Sequence, residues 1–525
     1  MPHTESAPST AIERVDRLLR PAVVVPLLVS LFYFADIFLR ASEKFFWYDE
    51  LFTVYFARLP STQALWHALG IGIDFNPPFF YWLTRAGNSL FGEGPVVTRL
   101  PEILGFWLLS LCLFRFVQRR AGVLAGLVAM LFPMLTQAYY YAYEARPHGV
   151  VLGFCGLAIV CWQSAMDQTK RRSLWLTGFG TALFGAFMMH CFALTLLAPF
   201  VLVELYRTWP RRRFDWPVWF SMAIPTFLAG LLYIALLHSF HKLSTKTNFG
   251  EIAKPGWQQV LYCFQFLLEP CLVIIFGALL VFAAERFIGR NTPEEPIRRT
   301  PAFLEMLLGL SFLGVPVTGV FLAKLAHAPF FHRYFISTAA GISIVTGLAS
   351  GWRVRRAWLP WAMALLMSAG VLVNTGRLLS RRLHREGEWL IEPSSKQRLN
   401  TTPGKPLDLH PLLNMGTTED PIAILNFADF ASLILYASPS LKNRLYYVTA
   451  SSDDFAYFGF EGLLACCDAS FHRPETYAVF VREHAHFLAY GVENNLLQVG
   501  LLGQSGAHID GIQVAADHFL AQMRK

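Results

Sequence analysis

The chain is 525 residues long, 54% hydrophobic and 15% charged, with a mean hydropathy of +0.41, whereas soluble domains carry about 25% charged residues. Its formal net charge of +8 is not read as a nucleic-acid-binding surface, because in a membrane protein the location of Lys and Arg says more than their sum. Eight cysteines show no Cys-x-x-Cys or Cys/His ligand spacing, which argues against a structural zinc site.

In chain order, residues 1–20 are polar, with Arg14, Arg17 and Arg20. The apolar run 21–39 is longer than a signal-peptide core and lacks a small-x-small cleavage site. It reads as a retained first span with a cytoplasmic N-terminus. Since a span needs about 20 apolar residues, candidates fall near 21–39, 97–117, 121–139, 148–165, 174–189, 191–206, 217–237, 259–284, 303–323, 334–351 and 357–374, about eleven in all. Basic residues test the register. Arg119–Arg120, Lys170–Arg171–Arg172, Arg211–Arg212–Arg213, Arg290 with Arg298–Arg299, and Arg353–Arg355–Arg356 fall in alternate loops, which the positive-inside rule makes cytoplasmic. The external segments are then 40–96, 140–147, a turn at His190, 238–258, 324–333 and the tail after 375. Residues 79–91 are aromatic but short, contain Arg85 and Asn88, and follow Pro77–Pro78. They read as an interfacial helix, so the first external loop holds two such helices, about 49–58 and 78–91.

The tail has strand signals at 422–425, 444–448 and 477–481, with an apolar helical stretch at 428–437. The expected architecture is an all-α polytopic membrane domain (21–375) after a cytoplasmic tail (1–20), followed by a small extracytoplasmic α/β domain (376–525) of three layers. No glycine-rich phosphate loop opens a tail helix, so no nucleotide site is expected there. No internal repeats are visible.

Several polar residues stand at costly places. Asp49–Glu50 follow four aromatics, Phe45-Phe46-Trp47-Tyr48. A carboxylate there suits a general base on an acceptor hydroxyl; equally, Asp49 suits an N-cap and Glu50 a first helical turn. Asn76-Pro77-Pro78-Phe79-Phe80-Tyr81 is an extended entry into an aromatic helix, and read alone it is a turn with an interfacial belt. Glu144 and Arg146 border a span, as a site or as an interfacial ion pair. His190 sits at a tight turn, where a lone histidine is more often a satisfied interface residue. His332-Arg333-Tyr334 opens a late span; Arg333 can grip a phosphate bidentately or simply anchor at the interface. Asp49, Glu144, His190 and Arg333 come from four loops assigned to one face. Acids that activate a nucleophile and cations that hold a departing phosphate suit group transfer from a lipid phosphate.

The order Trp47-Tyr48-Asp49-Glu50, Asn76-Pro77-Pro78-Phe79-Phe80-Tyr81, Arg99-Leu100-Pro101, Glu144-Ala145-Arg146-Pro147 and Arg333-Tyr334 resembles the GT-C class of integral-membrane glycosyltransferases, in the branch of protein O-mannosyltransferases and lipid A aminoarabinose transferases. The resemblance spans roughly 15–375. It implies an inverting transfer of a sugar from dolichyl or undecaprenyl phosphate, with Asp49 matching the expected base. It places Glu144 near donor or acceptor and Arg333–Tyr334 near the donor phosphate. Where the family often has His before the double proline, this chain has Asn76; where it often has Tyr after Arg-Pro, this chain has His148. Some members bind a divalent metal near the first loop, and Asn76 is a poor ligand for one.

The reading is therefore a bacterial inner-membrane glycosyltransferase with a polyprenyl-phosphate-linked sugar donor and a glycan, lipid or protein acceptor. Asp49, Glu50 and Glu144 are the catalytic candidates. Arg146, Arg333, Tyr334, His332, His190, Arg99 and Tyr81 are the donor-phosphate and substrate candidates. No cofactor is assigned; were a divalent metal used, Glu50 and His190 would be its candidate ligands. Rival readings are a transporter or flippase of a lipid-linked sugar, which inverted repeats and midplane charges would favour, and a non-catalytic envelope assembly protein.

Overall fold

The structure, a computed structural model, describes residues 20–71, 74, 76–168, 170–246, 254–288, 302–351, 358–383, 419–437, 439–450, 475–492, 495–515 and 518–525. The expected tail 1–19, the basic residues Arg290, Arg298, Arg299, Arg353, Arg355 and Arg356, and Cys466–Cys467 lie outside the described residues.

Every apolar run expected to span is helical. Helix α1 is Pro21–Glu43. The first loop follows with α2 (Tyr48–Arg58), α3 (Thr62–Ile71) and α4 (Phe79–Phe91). Then come α5 (Leu100–Ala121), α6 (Val123–Leu135), α7 (His148–Asp167), α8 (Arg172–Met189), α9 (Leu197–Arg211) and α10 (Trp216–Lys246). The series closes with α11 (Gln258–Leu268), α12 (Leu272–Ile288), α13 (Phe303–Phe312), α14 (Val315–Leu325), α15 (Thr338–Gly351) and α16 (Trp358–Leu383). Among the described residues, 7 helical segments are long and apolar enough to cross a membrane, or 8 if α13 and α14, bent by 46°, count as one. The expected tally of about eleven included α6, α8 and α15. Of these, α6 and α15 are apolar but short.

Among the described residues, the first loop also contains a helix not expected from the sequence, α3, and a single helical turn at Pro95–Thr98. Helix α3 buries Leu65, Ala68 and Leu69, one stripe at i, i+3, i+4. The Ser61 hydroxyl accepts from the Ala64 N–H at 3.1 Å and caps it. Helix α4 runs 13 residues, too few to cross; Phe80, Tyr81 and Thr84 face inward while Leu83, Leu90 and Phe91 are exposed.

Helices α5 and α7 cross so closely that side chains are excluded at the contact. A Cβ on Gly105 would lie 2.3 Å from the Gly149 carbonyl oxygen, and one on Gly153 2.7 Å from the Gly105 carbonyl oxygen. Small residues at one helical face are the usual means of such an approach inside a bilayer. The crossing seats the start of α7, and the 143–147 loop before it, against the start of α5. A buried polar pin ties in α1: Asp36 accepts from Arg40 at 2.7 Å, from the Tyr139 hydroxyl at 2.5 Å and from Thr375 of α16 at 2.8 Å.

Charges collect at both ends of α5. At its C-terminal end Arg120 reaches Asp167 and Glu305, each at 2.6 Å, and Arg119 reaches Ser164 at 2.8 Å. Its N-terminal end abuts Arg99 and the first loop. The helix has 22 residues, so the two clusters lie roughly 33 Å apart at 1.5 Å per residue.

The tail forms a 6-stranded sheet of β1 (Ile422–Ile424), β2 (Leu445–Thr449), β3 (Glu475–Thr476), β4 (His486–Val492), β5 (His508–Ala515) and β6 (His518–Arg524), in the order β3-β2-β1-β4-β6-β5. Strands β3, β2, β1 and β4 are parallel; β6 runs antiparallel to β4, and β5 to β6. Helix α17 (Phe427–Tyr436) covers one face, and α18 (Tyr477–Glu483) with α19 (Leu496–Gln504) the other. The expected strand at 477–481 is instead α18. Its Tyr477, Phe480 and Val481 are buried at helical spacing, and that stripe outweighs the strand preference of Val479 and Val481. The face under α17 does not close on itself. Ile422, Ile424, Phe430, Leu433 and Ile434 share one core with Phe46, Leu51, Val54 and Tyr55 of the first loop. The Tyr55 hydroxyl donates to the Ala431 carbonyl at 2.8 Å, and the Tyr436 hydroxyl accepts from the Phe46 N–H at 2.6 Å.

Filling the α5–α7 contact should be costly. Gly153→Val is expected to lower unfolding free energy by at least about 1–3 kcal/mol, read as loss of thermal stability and monodispersity in detergent; Gly230→Ala, with open space around it, serves as the tolerant control.

Candidate active site

The site is built on Glu50. In the first turn of α2 its carboxylate is fully buried. Oε1 accepts from Arg99 Nε at 2.8 Å and from the Ala145 N–H at 2.6 Å. Oε2 accepts from Arg99 Nη2 at 3.0 Å and from the Trp47 N–H at 3.2 Å, and pairs with Lys44 Nζ at 3.1 Å. Burial alone would raise its pKa, but Arg99 and Lys44 carry it below the ordinary carboxylate range. A carboxylate has about four lone-pair positions, and here all are occupied. Glu50, expected among the catalytic acids, is therefore held as a fixed anion that joins α1, α2, α5 and the 143–147 loop.

Arg99 is equally committed. Besides Glu50 it donates to the carbonyls of Ala41 at 2.7 Å, Lys44 at 2.8 Å and Phe45 at 3.1 Å, which uses all five guanidinium N–H groups. It is fully buried, so it has no donor left for a phosphate, contrary to the expectation from sequence. Tyr81 is likewise a support: its hydroxyl donates to Asp74 Oδ2 at 2.6 Å and the ring is fully buried.

Asp49 points elsewhere. Its Oδ2 lies 2.8 Å from Arg333 Nη2, and the two side chains retain 16% and 17% of their exposure. Arg333 also stands 4.7 Å from the Phe331 ring and 5.8 Å from Trp47, which fixes the guanidinium between loops. Arg146 Nη1 donates to the Asp49 carbonyl at 3.2 Å. Its fork is held by Asp74, Nη1 to Oδ2 at 2.6 Å and Nη2 to Oδ1 at 3.2 Å. Asp74 was not singled out from the sequence. The available signal is its place two residues before Asn76, whose side-chain amide donates to it at 3.2 Å. Thus the Asn76 amide steadies a carboxylate that in turn steadies an arginine.

Glu144 is fully buried. Its carboxylate makes no hydrogen bond among the described residues and sits 3.8 Å from Lys44 Nζ. Burial, opposed by Lys44 and reinforced by Glu50, raises its pKa to about 7.

His190 ends α8, and its Nδ1 accepts from the Phe192 N–H at 3.1 Å. Burial, with Arg146 nearby, lowers its pKa to about 3, so the ring is neutral with its proton on Nε2. Its remaining N–H is that of a neutral ring, not of a cation. Tyr334 packs against it at 4.6 Å and stacks on Phe192 at 4.9 Å, while His148 stands 5.3 Å from His190. His332, one of the substrate candidates, pairs with Gln259 Oε1 at 2.6 Å and so serves to fasten the 331–335 turn to α11. As for a metal, no group of three His, Cys, Asp or Glu side chains with a suitable arrangement occurs among the described residues. Glu50 is consumed by its donors and His190 Nδ1 by a backbone N–H, so the two candidate ligands do not fit one.

The geometry thus brings Asp49, Glu144, Arg146, His190, Arg333 and Tyr334 to one end of the helical domain, with Glu50, Arg99, Asp74 and Tyr81 behind them. The cluster sets two guanidiniums beside one partly exposed carboxylate.

The family model described as dolichyl-phosphate-mannose-protein mannosyltransferase matches residues 76–218, a stretch that includes Glu144, Arg146 and His190 but neither Asp49 nor Arg333. No curated protein matches the chain in sequence. Among solved structures, ArnT from Cupriavidus metallidurans bound to undecaprenyl phosphate superposes with a TM-score of 0.54 at 15% identity, over 95% of this chain and 97% of that one. The same protein in the apo state gives 0.56 at 14% identity, with the same coverage. The GT-C-type helical fold expected from the sequence is therefore the fold observed, and at 95% of the chain the superposition extends past residue 375, beyond the stretch that carried the resemblance.

Arg99→Ala should cost about 3–5 kcal/mol, because it removes the bidentate partner of a buried carboxylate, leaving Lys44 as its cation, and strips three carbonyls of their donor; the check is thermal unfolding, with Arg99→Lys only a partial rescue. Glu144 makes a separate prediction. Its folded pKa is raised, so the native state holds a proton that the unfolded state releases, and stability should fall as pH rises from about 4.5 to about 7. Glu144→Gln should flatten that slope and raise the melting temperature at pH 8.

Proposed function

We propose that this protein transfers a monosaccharide from a polyprenyl-phosphate carrier to an acceptor hydroxyl, with inversion, on the extracytoplasmic side of a bacterial inner membrane. The carrying observation is the Asp49–Arg333 pair at 2.8 Å, flanked by Arg146, in a membrane-protein fold also found in a structure bound to undecaprenyl phosphate. Two guanidiniums from separate loops beside one partly exposed carboxylate are the parts such a transfer needs.

In this reading the donor phosphate takes Arg333 from Asp49, with Arg146 held ready by Asp74. Asp49 then accepts the proton of the acceptor hydroxyl. The acceptor oxygen bonds to the anomeric carbon as the bond from that carbon to the phosphate oxygen breaks. The charge that grows on the departing polyprenyl phosphate is met by Arg333 and Arg146, and by the neutral Nε2–H of His190. Glu144, near neutrality in its pKa, takes up the proton from the Asp49 side between turnovers. Orientation follows from the basic residues: Arg119, Arg120 and Arg172 at one end of the helices face the cytoplasm, which puts Asp49 outside. Repeats and midplane charge pathways of the kind a transporter uses are not evident in the sequence.

The test offers purified protein a panel of undecaprenyl-phosphate sugars with envelope glycans, lipids and peptides as acceptors, and reads release of undecaprenyl phosphate. Asp49→Asn should lower transfer by at least about 100-fold while the protein stays folded and inserted. Near-normal transfer by Asp49→Asn would sink the assignment, and loss in Glu144→Gln alone would move the base to the second loop.

A further inference from the structure

Beyond the cluster at Asp49, the first loop holds a concavity, of about 450 Å³, lined by Ser61, Thr62, Trp82, Arg85, Ala86 and Ser89. Its floor follows from helix geometry. Positions 82, 85, 86 and 89 fall on one stripe of α4 at i, i+3, i+4, i+7, distinct from the inward stripe of Phe80, Tyr81 and Thr84. The connection between α2 and α3 supplies the opposite wall, and Arg85 ties the two by donating to the Pro60 carbonyl at 3.1 Å.

The chemistry of this lining is specific. Trp82 is fixed by edge contacts with Phe79 at 4.9 Å and Trp66 at 6.5 Å, yet its indole N–H is buried and has no acceptor among the described residues. That N–H lies beneath the surface, so what Trp82 offers the groove is its half-buried ring. Arg85 has no acidic partner among the described residues, whereas neighbouring Arg58 is neutralised by Glu93 at 2.7 Å. The hydroxyls of Thr62 and Ser89 complete the rim. An aromatic ring, two hydroxyls and a guanidinium without an acidic partner among the described residues match a sugar ring that carries an anionic group. The ring's apolar C–H face lies on the indole, its hydroxyls meet the rim, and the anion meets Arg85.

We propose that this groove is a saccharide subsite selective for an acidic sugar, one bearing a carboxylate or a phosphate. Its assignment to the acceptor rests on the transferase reading; its character as a saccharide site does not. The groove adjoins the C-terminal end of α2, while Asp49 is in that helix's first turn. Nine residues at 1.5 Å each set them roughly 14 Å apart. An acceptor engaged here is therefore longer than one sugar and is gripped at a point remote from the reacting hydroxyl, where binding energy positions it for attack.

The experiment titrates purified protein in nanodiscs, free of maltoside detergent, with glucose, glucuronic acid, glucosamine 6-phosphate and inorganic phosphate, following tryptophan fluorescence and calorimetric heat. At least one acidic sugar is expected to bind about tenfold tighter than both glucose and inorganic phosphate. Arg85→Ala should erase the preference for the acidic sugar, and Ser89→Trp should block binding by filling the groove from an exposed position. Trp82→Leu should weaken every sugar about tenfold or more; because it could also loosen α4, its melting temperature is compared with that of Ser89→Trp. Absence of binding by all four compounds, inorganic phosphate binding as tightly as the sugars, or unchanged binding in both Arg85→Ala and Ser89→Trp would each overturn the proposal. Saccharide binding that is lost in these variants, in a protein that releases no undecaprenyl phosphate from any donor, would retain the groove as a sugar site and remove the transferase reading instead.

Discussion

The Glu50–Arg99 ion pair is the interaction on which the rest of the site depends. Both groups are fully buried, the carboxylate has no vacant acceptor position and the guanidinium no vacant donor. A buried pair of this kind contributes little net stability when complete, but losing either member is severe. What it supplies is registry. Arg99 precedes α5 and grips three carbonyls at the end of α1, while Glu50 in α2 receives the Ala145 N–H of the second loop. Three segments far apart in sequence are thereby fixed to within hydrogen-bond tolerance around one point, and Asp49 and Arg146 are carried along on the same backbone.

Asp49 and Glu50 show how adjacent residues of similar chemistry take opposite roles. Successive positions on a helix differ by about 100° in direction, so when Glu50 is turned inward Asp49 must face outward. The inward acid is neutralised and immobile; the outward one keeps some exposure and a single guanidinium partner. The arginines divide in the same way: Arg99 is saturated, whereas Arg333 and Arg146 are anchored on one side by carboxylates. Glu144, 3.8 Å from Lys44 and without a hydrogen bond among the described residues, completes the contrast, since burial raises its pKa.

The C-terminal domain belongs to this construction. Its α17 and the sheet beneath share a core with Phe46, Leu51, Val54 and Tyr55, the residues that flank the acidic pair. Apolar burial stabilises by about 25 cal/mol per Å², and several large side chains are involved, so the interface braces α2 from the side opposite the membrane helices. The short amphipathic helices of the first loop would be marginal alone; packed between two domains they hold a defined position.

Sequence by itself determined the membrane class, the helical runs, the short character of α4 and the loops from which the polar residues come. These follow from local quantities: apolar run length, the placement of Lys and Arg, and the spacing of Pro and aromatic residues. It also made Asp49, Glu144, Arg146, His190 and Arg333 candidates, because charge and histidine at span ends are costly wherever the chain then goes. Only the tertiary structure decided that Glu50, Arg99 and Tyr81 are supports, that His332 belongs to Gln259, that Asp74 serves Arg146, and that residues 477–483 are a helix. Most of these outcomes depend on partners distant in the chain, as Glu50 does on Arg99, Asp74 on Arg146 and His332 on Gln259, or on which face of an element is buried, and a donor's saturation by distant carbonyls leaves no trace in local composition.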